Sequence, residues 1–249
     1  MKYILYLFLS LSYLFSNQTI TLFANEYKPP KIWTEDGIHK GILIEIAKEV
    51  QKELKVKFDI QTYPWARTYK MSINNKGGIL GLSKTKEREK IFDYNKIPLF
   101  LDTMLLITKK GKEFKFDKIE DLKGKRIGYC RGCSFGKVFE EAKKYFIPVE
   151  TDDSKVQRLM LLLRGKIDAT LLGPGEIALK TMCGTSKLIN YEQFSILKKP
   201  LTIDPNYIAF PKKLKRKEFL EKFDIILQEK INEKVIDKII HKWTNKNRL

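Results

Sequence analysis

Residues 77–99, GGILGLSKTKEREKIFDYNKIPL, decide the fold of this chain, because they set a short buried strand directly before a polar loop. The apolar run at 79–82, held between glycines, reads as an inner strand, and Ser83, Thr85 and the charges after them read as the loop at its carboxyl end. Open α/β sheets bind small ligands beyond the carboxyl ends of their strands, where backbone groups and loop side chains are both in reach. Arg88 stands there. A guanidinium grips a carboxylate through two parallel hydrogen bonds, which the point charge of a lysine cannot match. Arg88 is therefore the foremost candidate ligand contact, with Gly81, Leu82 and Ser83 at the strand end beside it.

Outward from this stretch, strand-like and helix-like patterns alternate. Residues 20–24 read as a first strand, followed by Glu26, Tyr27 and the rigid Pro29 and Pro30. Ile42, Leu43, Ile46, Ala47, Val50 and Leu54 fall at the spacing of one buried helix face. A strand over 56–60 and a helix over 65–73 follow, with Pro64 at the helix start. The order strand, helix, strand, helix, strand predicts an α/β lobe with a parallel core. A strand over 103–108 leads into the polar run 109–118, read as a crossing to a second lobe. There the pattern restarts, with strands over 126–130, 148–151, 167–172 and 187–190 and helices over 135–145, 156–163 and 176–182. A strand over 206–210 returns, and two helices carrying Phe219, Leu220, Phe223, Ile226 and Leu227, then Ile231, Val235, Ile239, Ile240 and Trp243, complete the chain. The expectation is an α/β fold of two lobes, residues 19–108 with 204–249 and residues 109–203, hinged at two crossings.

The second lobe offers R-G-C-S-F-G at 131–136, between a strand and a helix. Backbone amides at a helix N-terminus carry partial positive charge and lack intrahelical partners, so they receive a carboxylate readily. Ser134 reads as the N-cap. Trp65 and Arg67 in P-W-A-R are expected to face the same cleft, where Trp65 and Tyr27 would wall the solute, with core packing the alternative for each aromatic. A surface ion pair is the alternative for Arg67.

The 77–99 stretch resembles the signature of the bacterial extracellular solute-binding proteins of family 3. That signature is a strand, a serine or threonine, T-x-x-R, a phenylalanine and a segment ending in a proline-containing turn, matched here by Ser83, Thr85, Arg88, Phe92 and Pro98. Four more stretches fall in order at family landmarks: ITLFANEYKPPKIW at 20–33, PWAR at 64–67, RIGYCRGCSFG at 126–136 and GKIDATL at 165–171. The resemblance implies a two-lobed periplasmic binding protein clamshell of type II, which captures a small carboxylate-bearing solute and hands it to the permease of an ABC importer. It aligns Gly132, Cys133 and Ser134, between Arg131 and Phe135, with the loop that meets the ligand carboxylate from the second lobe. It also reveals a departure: relatives that bind amino acids often hold the α-ammonium on an aspartate after the strand matching GKIDATL, and Gly173 stands at that position. Glu176 is the alternative partner for an amino group, and Asp168 reads as structural. A carboxylate on the solute is expected, and its α-amino group is left open.

Composition excludes other classes. The 249 residues are 43% hydrophobic, enough for a core shared by two modest lobes, and carry a formal net charge of +18. The lysines are spread over nearly every predicted helix and interleaved with glutamates, without any nucleic-acid-binding motif, so no nucleic-acid partner is expected. Lys2, the apolar run 4–15 and polar Ser16, Asn17 and Gln18 read as a secretory signal peptide over residues 1–18, directing a soluble monomer to the periplasm. An uncleaved anchor is the alternative, because the A-x-A pattern is absent. Three cysteines make neither a disulfide scaffold nor a zinc site, so no metal or cofactor is expected. Cys130 and Cys133, in C-R-G-C, are read as free thiols ahead of a local bridge, with Cys183 left over. An exported cyclohexadienyl dehydratase on the same fold is the alternative function, and it needs a positioned acid or base. His39, in a loop, and His241, in the last helix, lie away from the cleft, and Glu26, Glu176 and Cys133 form no dyad or triad spacing. Binding without turnover is expected.

Overall fold

A computed structural model describes residues 19–151 and 154–245; the expected signal peptide lies outside them. Strand β1 (Thr19–Asn25) leads through a small antiparallel sheet, β2 (Tyr27–Lys28), β3 (Ile32–Glu35) and β4 (Ile38–Lys40), into helix α1 (Ile42–Leu54). One face of α1 buries Ile42, Leu43, Ile46, Ala47 and Val50, each large aliphatic side chain contributing about 1.5–3 kcal/mol. The helix stops where Lys55 takes a left-handed backbone with φ 52°. Strand β5 (Lys57–Tyr63), helix α2 (Trp65–Ile73) and strand β6 (Gly78–Ser83) follow, and β5 and β6 pair in parallel on either side of β1. Helix α3 (Lys86–Ile91) and strand β7 (Phe92–Tyr94) then turn the chain back.

Strand β8 (Phe100–Lys109) runs out of this half, and the other half contains β9 (Arg126–Cys130), α4 (Lys137–Ala142), β10 (Ile147–Thr151), α5 (Lys155–Leu163), β11 (Ala169–Leu172), α6 (Gly175–Thr185) and β12 (Phe194–Ile196). Strand β13 (Thr202–Pro211) runs back, before α7 (Lys217–Asn232) and α8 (Val235–Asn245). The main strand order is β10-β9-β11-β8-β13-β6-β1-β5, with β8 and β13 antiparallel at its centre from Thr202 opposite Met104 to Asn206 opposite Phe100. Parallel pairs lie at both ends, and the antiparallel strands between them connect the halves. One apolar cluster gathers β1, α1, α7 and α8, another gathers α5 and α6, and a third joins Trp65, Ile79 and Leu82 to Tyr129, Cys133 and Phe139 across the two halves.

Three local expectations change. Residues 187–190 form no strand: Leu188 is 66% exposed, and Asn190 instead caps a short turn by accepting the Glu192 N–H at 3.1 Å. The helix expected over 135–145 is confined to Lys137–Ala142, because Gly136 at its start has φ 83°. His39 belongs to strand β4, where its Nδ1 meets Thr34 Oγ1 at 2.9 Å.

Candidate functional site

A cavity lies where β6, β8 and β13 meet the loops of the other half. Arg88 is delivered to it by local geometry. Strand β6 ends at Ser83, and Thr85 caps α3 by accepting the Arg88 N–H at 3.2 Å, which folds Arg88 back beneath the strand. The side chain is buried, 6% exposed, and Nη1 donates to the Ser83 carbonyl at 3.1 Å. Its guanidinium carbon stands 5.4 Å from the Trp65 ring and 5.5 Å from that of Tyr69. No ion pair to Arg88 occurs among the described residues, so a desolvated cation with spare donors faces the cavity.

Two carboxylates share the space. Asp204 on β13 accepts from Ser83 Oγ at 2.6 Å and from Asn206 Nδ2 at 3.2 Å through the same oxygen, leaving Oδ1 buried without a partner among the described residues. Burial pushes its carboxyl up to about 7, against the opposing pull of the Ser83 hydrogen bond and nearby Lys31. Asp102 on β8 pairs with the Lys31 ammonium, which also donates to Asn206 Oδ1 at 2.7 Å, and Asp102 Oδ1 is likewise unpartnered. Buried acceptors of this kind are costly until something donates to them.

The opposite wall is made of loops. Gly132, with φ 67°, closes the C-R-G-C turn, and Cys133 N–H donates to Cys130 carbonyl at 3.0 Å. That turn brings the two Cα atoms to 5.3 Å, and the cysteines form a disulfide, correcting the reading as free thiols; Cys183 remains free. Trp65 Nε1 reaches across to donate to the Gly132 carbonyl at 3.1 Å. Ser134 is not the N-cap, a place taken by Gly136; its hydroxyl bonds the Glu140 carboxylate instead. Lys155, at the start of α5 and 7% exposed, donates to the Gly173 carbonyl at 3.3 Å. Burial first, then the neighbouring cation Lys28, pulls its ammonium down to about 7.

The model for bacterial extracellular solute-binding proteins, family 3, matches residues 20–246. The chain belongs to this family. Among curated proteins it is similar to the L-cystine-binding protein TcyJ of Escherichia coli (strain K12), with 26% identity over 149 residues, which is 59% of this chain. The match spans 55% of the length of TcyJ, so the chain covers only about half of that relative. Among solved structures it resembles the P235GK mutant of ArgBP from T. maritima, with TM-score 0.73, 21% identity, and 92% and 96% of the two chains covered. The arginine-, lysine-, histidine-binding protein ArtJ from Geobacillus stearothermophilus superposes with TM-score 0.73 and 20% identity over 93% of this chain and all 100% of that one. The fold is therefore the α/β clamshell of type II periplasmic binding proteins with two crossings between its halves. The family and these relatives are named for the solutes they bind. No helix among the described residues is long and apolar enough to cross a membrane.

Of the family-like positions, Trp65, Gly81, Ser83, Arg88, Cys133, Ser134, Phe135 and Gly173 line the cavity, and Gly132 adjoins it through its carbonyl. Four expected contacts do not. Leu82 points into the core: a bulge in the β6 ladder at Gly81, with φ 89°, breaks the alternation, so that Leu82 packs with Ile79 and Trp65 while Leu80 packs in the cluster of α1. Arg67 lies two residues beyond Trp65 on α2, hence on another face, with its guanidinium 4.2 Å from the Tyr63 ring centroid. Tyr27 is 43% exposed and lines a separate surface cavity with Trp33, because strand alternation turns its neighbour Lys28 inward instead. Arg131 is exposed on the tip of the C-R-G-C turn. Asp168 is structural, accepting from the Arg126 backbone at 2.7 Å and from its guanidinium at 3.1 and 2.7 Å. Glu176 holds Tyr191 and Lys180 outside the cavity.

Lys31, Asp102, Lys155, Asp204 and Asn206 were not foreseen as cavity residues. A signal existed for three of them. Asp102 sits in register with inward Phe100, Met104 and Leu106, and Asp204 and Asn206 with inward Thr202 and Ile208, so alternation puts polar groups on a buried face. Gly173 also acquires a reason: a Cβ there would lie 2.3 Å from both Asp102 Oδ1 and Met104 Sδ. The carboxylate absent at position 173 has a neighbour in Asp102.

Proposed function

We propose that this chain captures an amino-acid-type solute between two lobes, residues 19–108 with 204–249 and residues 109–203, and delivers it to the permease of an ABC importer. Arg88 takes the solute carboxylate as a bidentate pair, and the unpartnered oxygens of Asp204 and Asp102 receive its amino group. The Ser134 backbone amide meets the same carboxylate from the other side, since the Cys133 amide is committed to its turn. The observation that carries this reading is the pairing, in one cavity, of a guanidinium that lacks an ion pair and carboxylate oxygens that lack a donor among the described residues. A zwitterion satisfies both.

Contacts to both walls favour the shut state, so closure couples binding to recognition by the permease. The lobes turn about β8 and β13, the strands that connect the halves. The chain acts as a monomer in the periplasm after export by residues 1–18. Calorimetry with a panel of L-amino acids tests the reading, with thermal shift as a second readout growing as ln(1 + [L]/Kd). Binding that R88A abolishes supports it; binding that R88A leaves unchanged rejects it.

A further inference from the structure

Lys155 is a buried amine that donates to the Gly173 carbonyl and forms no ion pair among the described residues. The cavity brings together five cationic side chains, Lys28, Lys31, Arg88, Lys155 and Arg158, against two carboxylates, Asp102 and Asp204, and Asp102 is already paired with Lys31. Arg88 and Lys155 stand on different walls of the cavity: Arg88 on α3, just after the end of β6, and Lys155 on the first turn of α5 in the other half. A single carboxylate held by Arg88 therefore leaves Lys155 desolvated and unpaired, which is costly for an ammonium.

We propose that Lys155 receives a second anionic group of the solute, so that the solute class is an amino acid or related carboxylate with two acidic groups. This rests on the reading of Arg88 as the grip for the first carboxylate. The lowered proton affinity of Lys155 agrees with this, since a bound anion beside it would restore its charge.

The experiment is calorimetry on the purified protein with L-aspartate, L-glutamate, L-2-aminoadipate and L-cystine, against the amides L-asparagine and L-glutamine and the amino-free diacids succinate and glutarate. At least one two-acid solute is expected to bind about tenfold or more tighter than a one-acid counterpart, because a built polar site rejects a ligand that leaves it unpaired. In Lys155→Met that preference should shrink to within about twofold while binding of the amide persists, whereas Lys155→Arg should retain it. Amides that bind as well as the acids in the native protein overturn the proposal and leave the Arg88 reading standing. So does a preference that survives Lys155→Met. Should the methionine variant fail to fold by circular dichroism, the native acid-to-amide ratio and the arginine variant still decide. Tight binding of succinate or glutarate alone supports the two-acid class and removes the amino group from it. If no member of the panel binds, the proposal and the Arg88 reading fall together.

Discussion

The two walls of the cavity are built by different means. On one side, one sheet does the work: β6, the Thr85 cap and the adjacent strand β13 hold Arg88, Ser83, Asp204 and Asn206 in one hydrogen-bonded frame. On the other, a disulfide-closed turn after β9, the first turn of α5 and the loop after β11 converge from separate stretches of chain. The first wall is pre-organised by adjacent strands of one sheet and their side-chain hydrogen bonds, so in the proposed reading it suits the invariant part of a solute, its carboxylate. The second depends on loops, which tolerate change, and suits the part that distinguishes one solute from another.

The sharpest way to break this contrast is Arg88→Ala. The expected outcome is a loss of at least about 100-fold in solute affinity, as for truncating one partner of a buried charge pair, with an unchanged circular dichroism spectrum. An affinity unchanged by calorimetry would place the carboxylate grip elsewhere.

Asp204→Asn is expected to be next in size. It replaces an unpartnered acceptor and should weaken amino-bearing solutes by about tenfold while sparing amino-free ones. It also carries a pH signature. The folded carboxyl is raised to about 7 from 3.8, so between those values the folded protein retains a proton that the unfolded chain has released. Stability of the unliganded native protein therefore falls as pH rises through that window, and the asparagine variant escapes the fall. Thermal melts should find the variant more stable than the native protein at pH 8, by on the order of 1–3 kcal/mol, and close to it at pH 4. Equal melting temperatures at pH 8 would show that the carboxylate has a donor after all.

The same contrast explains what was legible in the sequence. Arg88, Ser83 and Gly81 were readable because strand, loop and cap follow one another within the 77–99 stretch, and the buried face of α1 was readable from its spacing. The turn around Gly132 was readable as a loop, but not its disulfide, because whether two cysteines join depends on backbone angles that spacing does not set. Lys155 gave no signal: a lysine at a helix start normally points to water, and only the arrival of Gly173 from β11 and of Lys28 and Lys31 from the small sheet encloses it. Tyr27 and Arg67 missed by one strand position and half a helical turn, where side-chain direction decides and residue type does not.

Trp65→Phe tests whether the walls act together. The indole N–H to the Gly132 carbonyl, at 3.1 Å, joins α2 to the turn after β9. Removing one neutral hydrogen bond costs about 1 kcal/mol, so affinity should fall by about fivefold, mainly through faster dissociation. No change in dissociation rate would mean that the bond contributes nothing to keeping the cavity shut.

The smallest effect is expected from replacing both Cys130 and Cys133 by serine. The disulfide spans a sequence separation of only 3, and chain-entropy arguments give so short a ring about 2 kcal/mol at most. The turn also has its own closure, the 3.0 Å bond from Cys133 N–H to the Cys130 carbonyl, and Gly132 supplies the left-handed residue it needs. Affinity should therefore change by less than about threefold, below the effect of losing the Trp65 bond, while the melting temperature falls by at most about 4–8 °C. A larger drop in affinity, with little change in melting temperature, would mean that the covalent ring sets the position of Ser134 and Phe135 against the solute, making the second wall as rigid as the first.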